Sequence, residues 1–131
     1  MAGVLWTMLI LNYAQLRLVG RDALSAYEGE HNRRFALVVF PGALVGLPAS
    51  VGLLINRPDE VPIWMPGVEL GLVLVVILST ASLQAPQHGK LARGWDEASH
   101  GLLVNSNWIR VVAWSAAGLL ALWMCLRTFT R

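Results

Sequence analysis

Charge is missing from four long stretches of this chain, and that limits what it can fold into more than any other feature. Ala2–Leu16, Phe35–Ile55, Leu70–Leu83 and Val111–Leu126 hold no Asp, Glu, Lys or Arg. Nearly all the ionisable groups fall in the short segments between them. A helix that crosses a bilayer needs roughly 20 mainly apolar residues. The second run reaches that alone, and the third does so from near Val61 if it tolerates Glu69. The first and fourth are extended by Arg17, Arg110 and Arg127, whose long stems let the charge reach the headgroups. The runs are apolar all round, where a soluble helix would show a stripe. With 56% hydrophobic and 14% charged residues, the chain lies far from the roughly 25% charge of a soluble domain. The expectation is an all-α, integral membrane four-helix bundle, one transmembrane domain over residues 1–131, with spans at about 2–20, 35–55, 64–84 and 108–127.

Loop charge orients it. Four crossings group the N-terminus, the 56–66 loop and the C-terminus on one side, with Arg57, Arg127 and Arg131. The other side has Arg17, Arg21, Arg33, Arg34, Lys90, Arg93 and Arg110. Basic residues stay cytoplasmic, so both termini are expected on the non-cytoplasmic side. Trp6, Trp64 and Trp123 would then mark the outer interface, and Trp95, Trp108 and Trp114 the inner one. Met1–Val4 has no positive region and no cleavage site follows the first run, so that run is expected to be retained. The excess positive charge is explained by topology, and nucleic acid is not an expected partner. Cys125 is the only cysteine and lies in an apolar run, where a thiol usually packs.

The connections at the basic side are not bland linkers. Residues 22–34 contain no proline and are able to continue as helix into the second span. Residues 90–110 carry Trp95, Leu102, Leu103 and Val104, enough apolar surface to lie along the interface. Within the spans, Gly42, Gly46 and Ser50 form one ridge of small residues, and Ala113, Ala117 and Ala121 another; this spacing lets backbones approach closely in lipid. Pro41 and Pro48 remove backbone donors from the second span. Glu69 is expected in the first turn after Pro66, near the outer headgroups, where a carboxylate suits a helix N-terminus.

Polar side chains collect at the cytoplasmic ends of the spans: Asn12, Tyr13 and Gln15 in the first; His31 and Asn32 in the second; Thr80, Gln84 and His88 in the third; Asn105, Asn107 and Arg110 in the fourth. Such groups are costly at membrane depth and usually face the bundle interior. The candidate pocket is His31, His88, Gln84, Asn107 and Arg110, with the two imidazoles within roughly 10 Å of each other. Two Glu-x-x-His spacings, Glu28–His31 and Glu97–His100, put a carboxylate and an imidazole on one helix face, as in di-iron bundles. His31, His88, His100, Glu28 and Glu97 are therefore candidate metal ligands. Bis-histidine haem ligation and a quinone or lipid pocket fit the same residue types. No nucleophile or Ser-His-Asp arrangement can be assembled, so a binding or structural role is favoured over catalysis.

The strings Glu30-His31-Asn32-Arg33-Arg34, Gln84-Ala85-Pro86-Gln87-His88 and Asn107-Trp108-Ile109-Arg110 with Trp114 resemble a group of small four-span bacterial membrane proteins. The resemblance implies a multi-pass protein of the bacterial inner (cytoplasmic) membrane, carries no activity with it, and singles out His31, His88, Asn107 and Arg110. Two functions follow as expectations. The first is an accessory subunit that packs against other membrane proteins, as in a respiratory or photosynthetic complex, or against itself. The second is a metal-, haem- or quinone-binding redox protein acting at the cytoplasmic end. Reporter fusions test the orientation: one after Arg131 should report a non-cytoplasmic location and one within residues 90–93 a cytoplasmic location. A cytoplasmic C-terminus would overturn the assignment.

Overall fold

In the computed structural model, residues 1–129 are described, and they form four helices with no strand. We label them α1 (Ala2–Leu16), α2 (Leu24–Ile55), α3 (Trp64–Leu91) and α4 (Glu97–Phe129). α2, α3 and α4 are each long and apolar enough to cross a membrane. α1 is shorter, roughly 22 Å at 1.5 Å per residue.

Two helices begin well before their apolar runs. α2 starts at Leu24, because residues 24–34 contain no proline and Glu30 binds both Arg33 and Arg34 along one face. α4 starts at Glu97 rather than near residue 108. The Asp96 carboxylate accepts hydrogen bonds from the backbone N–H of Ser99, at 3.0 Å, and from its hydroxyl, which caps the first turn. Those bonds hold the Asp96 carboxyl below its ordinary range. Residues 97–110 therefore enter the bundle rather than lying along an interface, and Leu103 and Val104 join the core.

α1 and α3 each contain one wider turn. In α1 it covers Met8–Asn12, with the Tyr13 N–H bonded to the Met8 carbonyl. In α3 it covers Thr80–Gln84, with the Ala85 N–H bonded to the Thr80 carbonyl. These are i→i+5 bonds, the π geometry that local functional features often use. The second lies directly before Pro86, which has no N–H to give, and α3 continues through it. Ser50, Thr80 and Ser82 each return a hydroxyl hydrogen to a carbonyl of their own helix four residues back. Their polarity is thus met without a neighbour.

The helices pack in the order α1–α4–α3–α2. α4 is central and contacts α1 and α3, while α2 lies along α3. No Cα of α1 comes within 8 Å of one in α2. Three small apolar clusters run along the bundle. Tyr13, Leu16, Leu24, Leu91 and Leu103 gather at the end rich in basic residues. Leu5, Leu9 and Val111 form the middle group, and Val61, Met65, Leu120 and Met124 the far one. Ala113 and Ala117 are buried and Ala121 half-buried. The glycine ridge of α2 also carries close packing: a Cβ on Gly46 would lie 3.2 Å from Cη2 of Trp114, and one on Gly42 would collide with the Met1 side chain.

Two expectations change here. Trp6 and Trp108, assigned to opposite interfaces, meet edge to face at 5.5 Å, and Trp6 donates to the Ser115 hydroxyl at 3.3 Å. The reason is the early start of α4, which puts Trp108 three turns into the helix, and the shortness of α1, which reaches only to the level of Ser115 and Gly42. Trp64 and Trp123 pair at the far end, 5.9 Å apart. Glu69 falls in the second turn of α3 and is buried on the stripe it shares with Met65, Val73 and Val76 rather than open to its surroundings. Its Oε2 has no partner.

Substituting Gly46 by Ile forces Trp114 to move, an overpacking of about 1–3 kcal/mol, and should lower the unfolding temperature in detergent. Gly52→Ile meets open space and should leave it nearly unchanged. Equal effects at the two positions would show that the Trp114 contact contributes no stability.

Candidate functional site

Between the apolar clusters of the basic half lies a line of buried polar groups to which all four helices contribute. Arg110 of α4 is the largest fully buried side chain, only 2% exposed. The early start of α4 carries it into the interior, so it turns away from the headgroups. Its Nε donates to Oδ1 of Asn107 at 3.1 Å, one helical turn back, and its Nη2 donates to the same oxygen. Nη2 also donates to the Tyr13 hydroxyl oxygen of α1 at 2.9 Å. Asn107 is fixed by its own amide, which donates to the Leu5 carbonyl at 3.4 Å.

The line continues through Tyr13. Because its oxygen accepts from Arg110, its O–H is free to point to Nε2 of His88 in α3, 3.5 Å away. His88 Nδ1 lies 2.8 Å from Oε2 of Glu28 in α2, which is completely buried. These roles agree with one tautomer: Nδ1–H donates to the carboxylate and Nε2 accepts from the phenol. The arrangement also answers an electrostatic demand. Arginine keeps its charge in proteins, and a buried charge needs compensation. Glu28, at the other end of the line, supplies it.

His31 lies beside this line. Its ring stacks on that of His88 with centroids 5.2 Å apart and planes 26° apart. On its own helix it is flanked by Tyr27 at 6.0 Å and Phe35 at 5.6 Å, all three rings nearly parallel. His31 Nε2, Glu28 Oε1, both amide atoms of Gln84 and Oε1 of Gln87 are buried without a hydrogen-bond partner.

The structure thus gathers His31, His88, Asn107 and Arg110 of the expected pocket, with Gln84 one turn from His88. Of the expected metal ligands it keeps Glu28, His31 and His88 together and sets Glu97 and His100 apart. His88 and Glu28 bind each other. His100 instead donates from Nε2 to the Tyr13 carbonyl at 2.8 Å, and Glu97 accepts from the Trp95 indole at 3.0 Å. Trp95 covers His100, with ring centroids 4.9 Å apart, and the Arg21 guanidinium lies over the Trp95 ring, 4.4 Å from its centroid. This lower layer pins the end of α1 to α4. Among the described residues no group of three or more His, Cys, Asp or Glu is placed to hold a metal ion. Tyr13 is the member that sequence reasoning passed over; an interfacial tyrosine is ordinary, and only its place beside Asn12 at the end of an apolar run marked it.

Comparison of the chain with protein-family models, curated proteins and solved structures gives no match.

Removing the arginine charge should expose the coupling. Arg110→Met leaves Glu28 uncompensated and should destabilise the protein by about 3–5 kcal/mol. The double variant Arg110→Met/Glu28→Gln should be destabilised by less than the sum of the two single changes in chemical unfolding. Strict additivity would show that the two charges do not act on each other.

Proposed function

We propose that this chain is a multi-pass protein of a bacterial inner membrane whose buried polar line is an acid–base site, exchanging protons with a molecule bound at the cytoplasmic end of the bundle. α2, α3 and α4 make full crossings, the C-terminus lies outside, and α1 is a shorter apolar helix in the cytoplasmic half. The loop charge supports this orientation. The observation that carries the functional reading is the unbroken run Asn107–Arg110–Tyr13–His88–Glu28, drawn from four helices and held in the interior. A structural ion pair needs two partners. This run instead places a phenol and an imidazole, both able to give and take protons, between the two charges. A redox role, in which a lipid-soluble carrier is protonated as it is reduced, is the kind of reaction such a site serves.

A second reading, an accessory subunit within a larger respiratory or photosynthetic membrane complex, is favoured by α2. Only 6% of the most apolar 18-residue stretch of α2 is buried, against 28% in α3 and α4. That surface suits lipid or a neighbouring subunit, and the two readings are compatible.

Infrared difference spectra of the protein in nanodiscs, recorded between about pH 5 and pH 8 where imidazoles titrate, test the acid–base reading. The carboxylate band that disappears in Glu28→Gln should shift in frequency in His88→Gln and in Tyr13→Phe. A carboxyl signal unaffected by either neighbour would contradict a shared proton site.

A further inference from the structure

The packing order leaves one side of the bundle open. α1 and α2 stand at the two ends of the series α1–α4–α3–α2, so no helix–helix interface closes the gap between them. The gap is a cleft of about 310 Å³, within the range of small-ligand sites, roughly 300–1,000 Å³. Met1 against Gly42 bounds it at one end, and the Leu16 and Leu24 cluster at the other. Its lining reaches the bundle surface at Val38, 50% exposed, which in the proposed orientation lies on the lipid-facing side of α2.

The lining is graded. Val4 and Met8 of α1 and Phe35 and Val38 of α2 make the apolar part, while Asn12 and His31 bring polarity nearer the basic end. Tyr27, His31 and Phe35 form a ladder of near-parallel rings along the α2 wall, with interplanar angles of 17° and 9°. Such a wall favours a planar ring, which stacks with offset on aromatic faces. Glu30 and Arg34 also line the cleft at its polar end, where the Glu30 carboxylate binds both Arg33 and Arg34 and leaves one positive charge over, which the lipid control below addresses. His31 joins the cleft to the interior. It lines both the cleft and the narrow space it shares with Tyr13, Glu28 and His88, and its Nε2 lacks a partner.

We propose that the α1–α2 cleft binds the head group of a lipid-soluble quinone, with the ring on the Tyr27–His31–Phe35 ladder, a ring carbonyl accepting from His31, and the isoprenoid tail leaving past Val38 into the bilayer. This rests on the acid–base reading of the buried line and names its ligand class. His31 is the group that touches the head; His88 and Glu28 act behind it. The proposal concerns binding and includes no electron transfer.

The test uses the full chain in nanodiscs, [15N]histidine-labelled, titrated with decyl-substituted benzoquinone. The His31 side-chain resonance should shift saturably, and azido-quinone photolabelling should mark peptides of α1 and α2. His31→Gln should weaken binding about tenfold, the equivalent of about 1.4 kcal/mol, while leaving the unfolding temperature close to that of the parent; Phe35→Ala should weaken binding as much but also lower the unfolding temperature, because Phe35 packs on the Leu5, Leu9 and Val111 cluster. Met8→Trp, which fills the cleft, should abolish the shift. An unmoved His31 resonance overturns the proposal, as does a shift produced equally by phosphatidylglycerol in place of the quinone, which would make the cleft a lipid headgroup site. If the coupled carboxyl signal of Glu28 persists while quinone fails to bind, only this inference falls. If that signal is absent as well, the acid–base reading falls with it.

Discussion

A buried guanidinium that cannot lose its charge organises this bundle. Arg110 sits 2% exposed in the middle of a helix whose flanks are apolar. Every polar group near it follows from satisfying that charge. Asn107 and Tyr13 accept its hydrogens, and Glu28 balances it from across the bundle. Because Glu28 does not touch Arg110, the balance is relayed through Tyr13 and His88. A direct ion pair would be inert; this one contains two groups that titrate or exchange protons, which is what gives the site chemical potential beyond structure.

The same need shapes the backbone. The π turn at Met8–Asn12 immediately precedes Tyr13, and the one at Thr80–Gln84 ends on Gln84 and precedes His88 by one turn. Each inserts one extra residue into a turn and so rotates the following side chains relative to a regular helix. The cap at Asp96 starts α4 early, and that early start carries Asn107 and Arg110 into the interior. Local features in three places therefore converge on one line of hydrogen bonds.

The helices were legible in the sequence because uncharged runs are hard to accommodate any other way. The early start of α2 was legible too, in the absence of proline from residues 22–34, but that of α4 was not. Glu28, Glu30, Arg33 and Arg34 interrupt hydropathy while leaving α2 helical, and the same holds for residues 97–110 of α4. His31, His88, Asn107 and Arg110 were legible as polar groups at the ends of apolar runs. Their connection was not, because Glu28 was legible only as a partner of His31 on its own helix and Tyr13 only as one polar residue at the end of a run, until tertiary structure brings both to His88. The two Glu-x-x-His spacings show the limit of local pattern: Glu28 and His31 both enter the site, whereas His100 holds a backbone carbonyl and Glu97 an indole. The open cleft was invisible from sequence, since small residues lie on several faces and none specifies the order α1–α4–α3–α2.

The account stands most directly on the tautomer of His88. Solid-state NMR of [15N]histidine-labelled protein in lipid at neutral pH should show His88 protonated at Nδ1 and bare at Nε2. Its Nδ1 resonance should move when Glu28 becomes Gln, and its Nε2 resonance when Tyr13 becomes Phe. A His88 protonated only at Nε2, or one indifferent to both substitutions, would contradict the relay between Arg110 and Glu28.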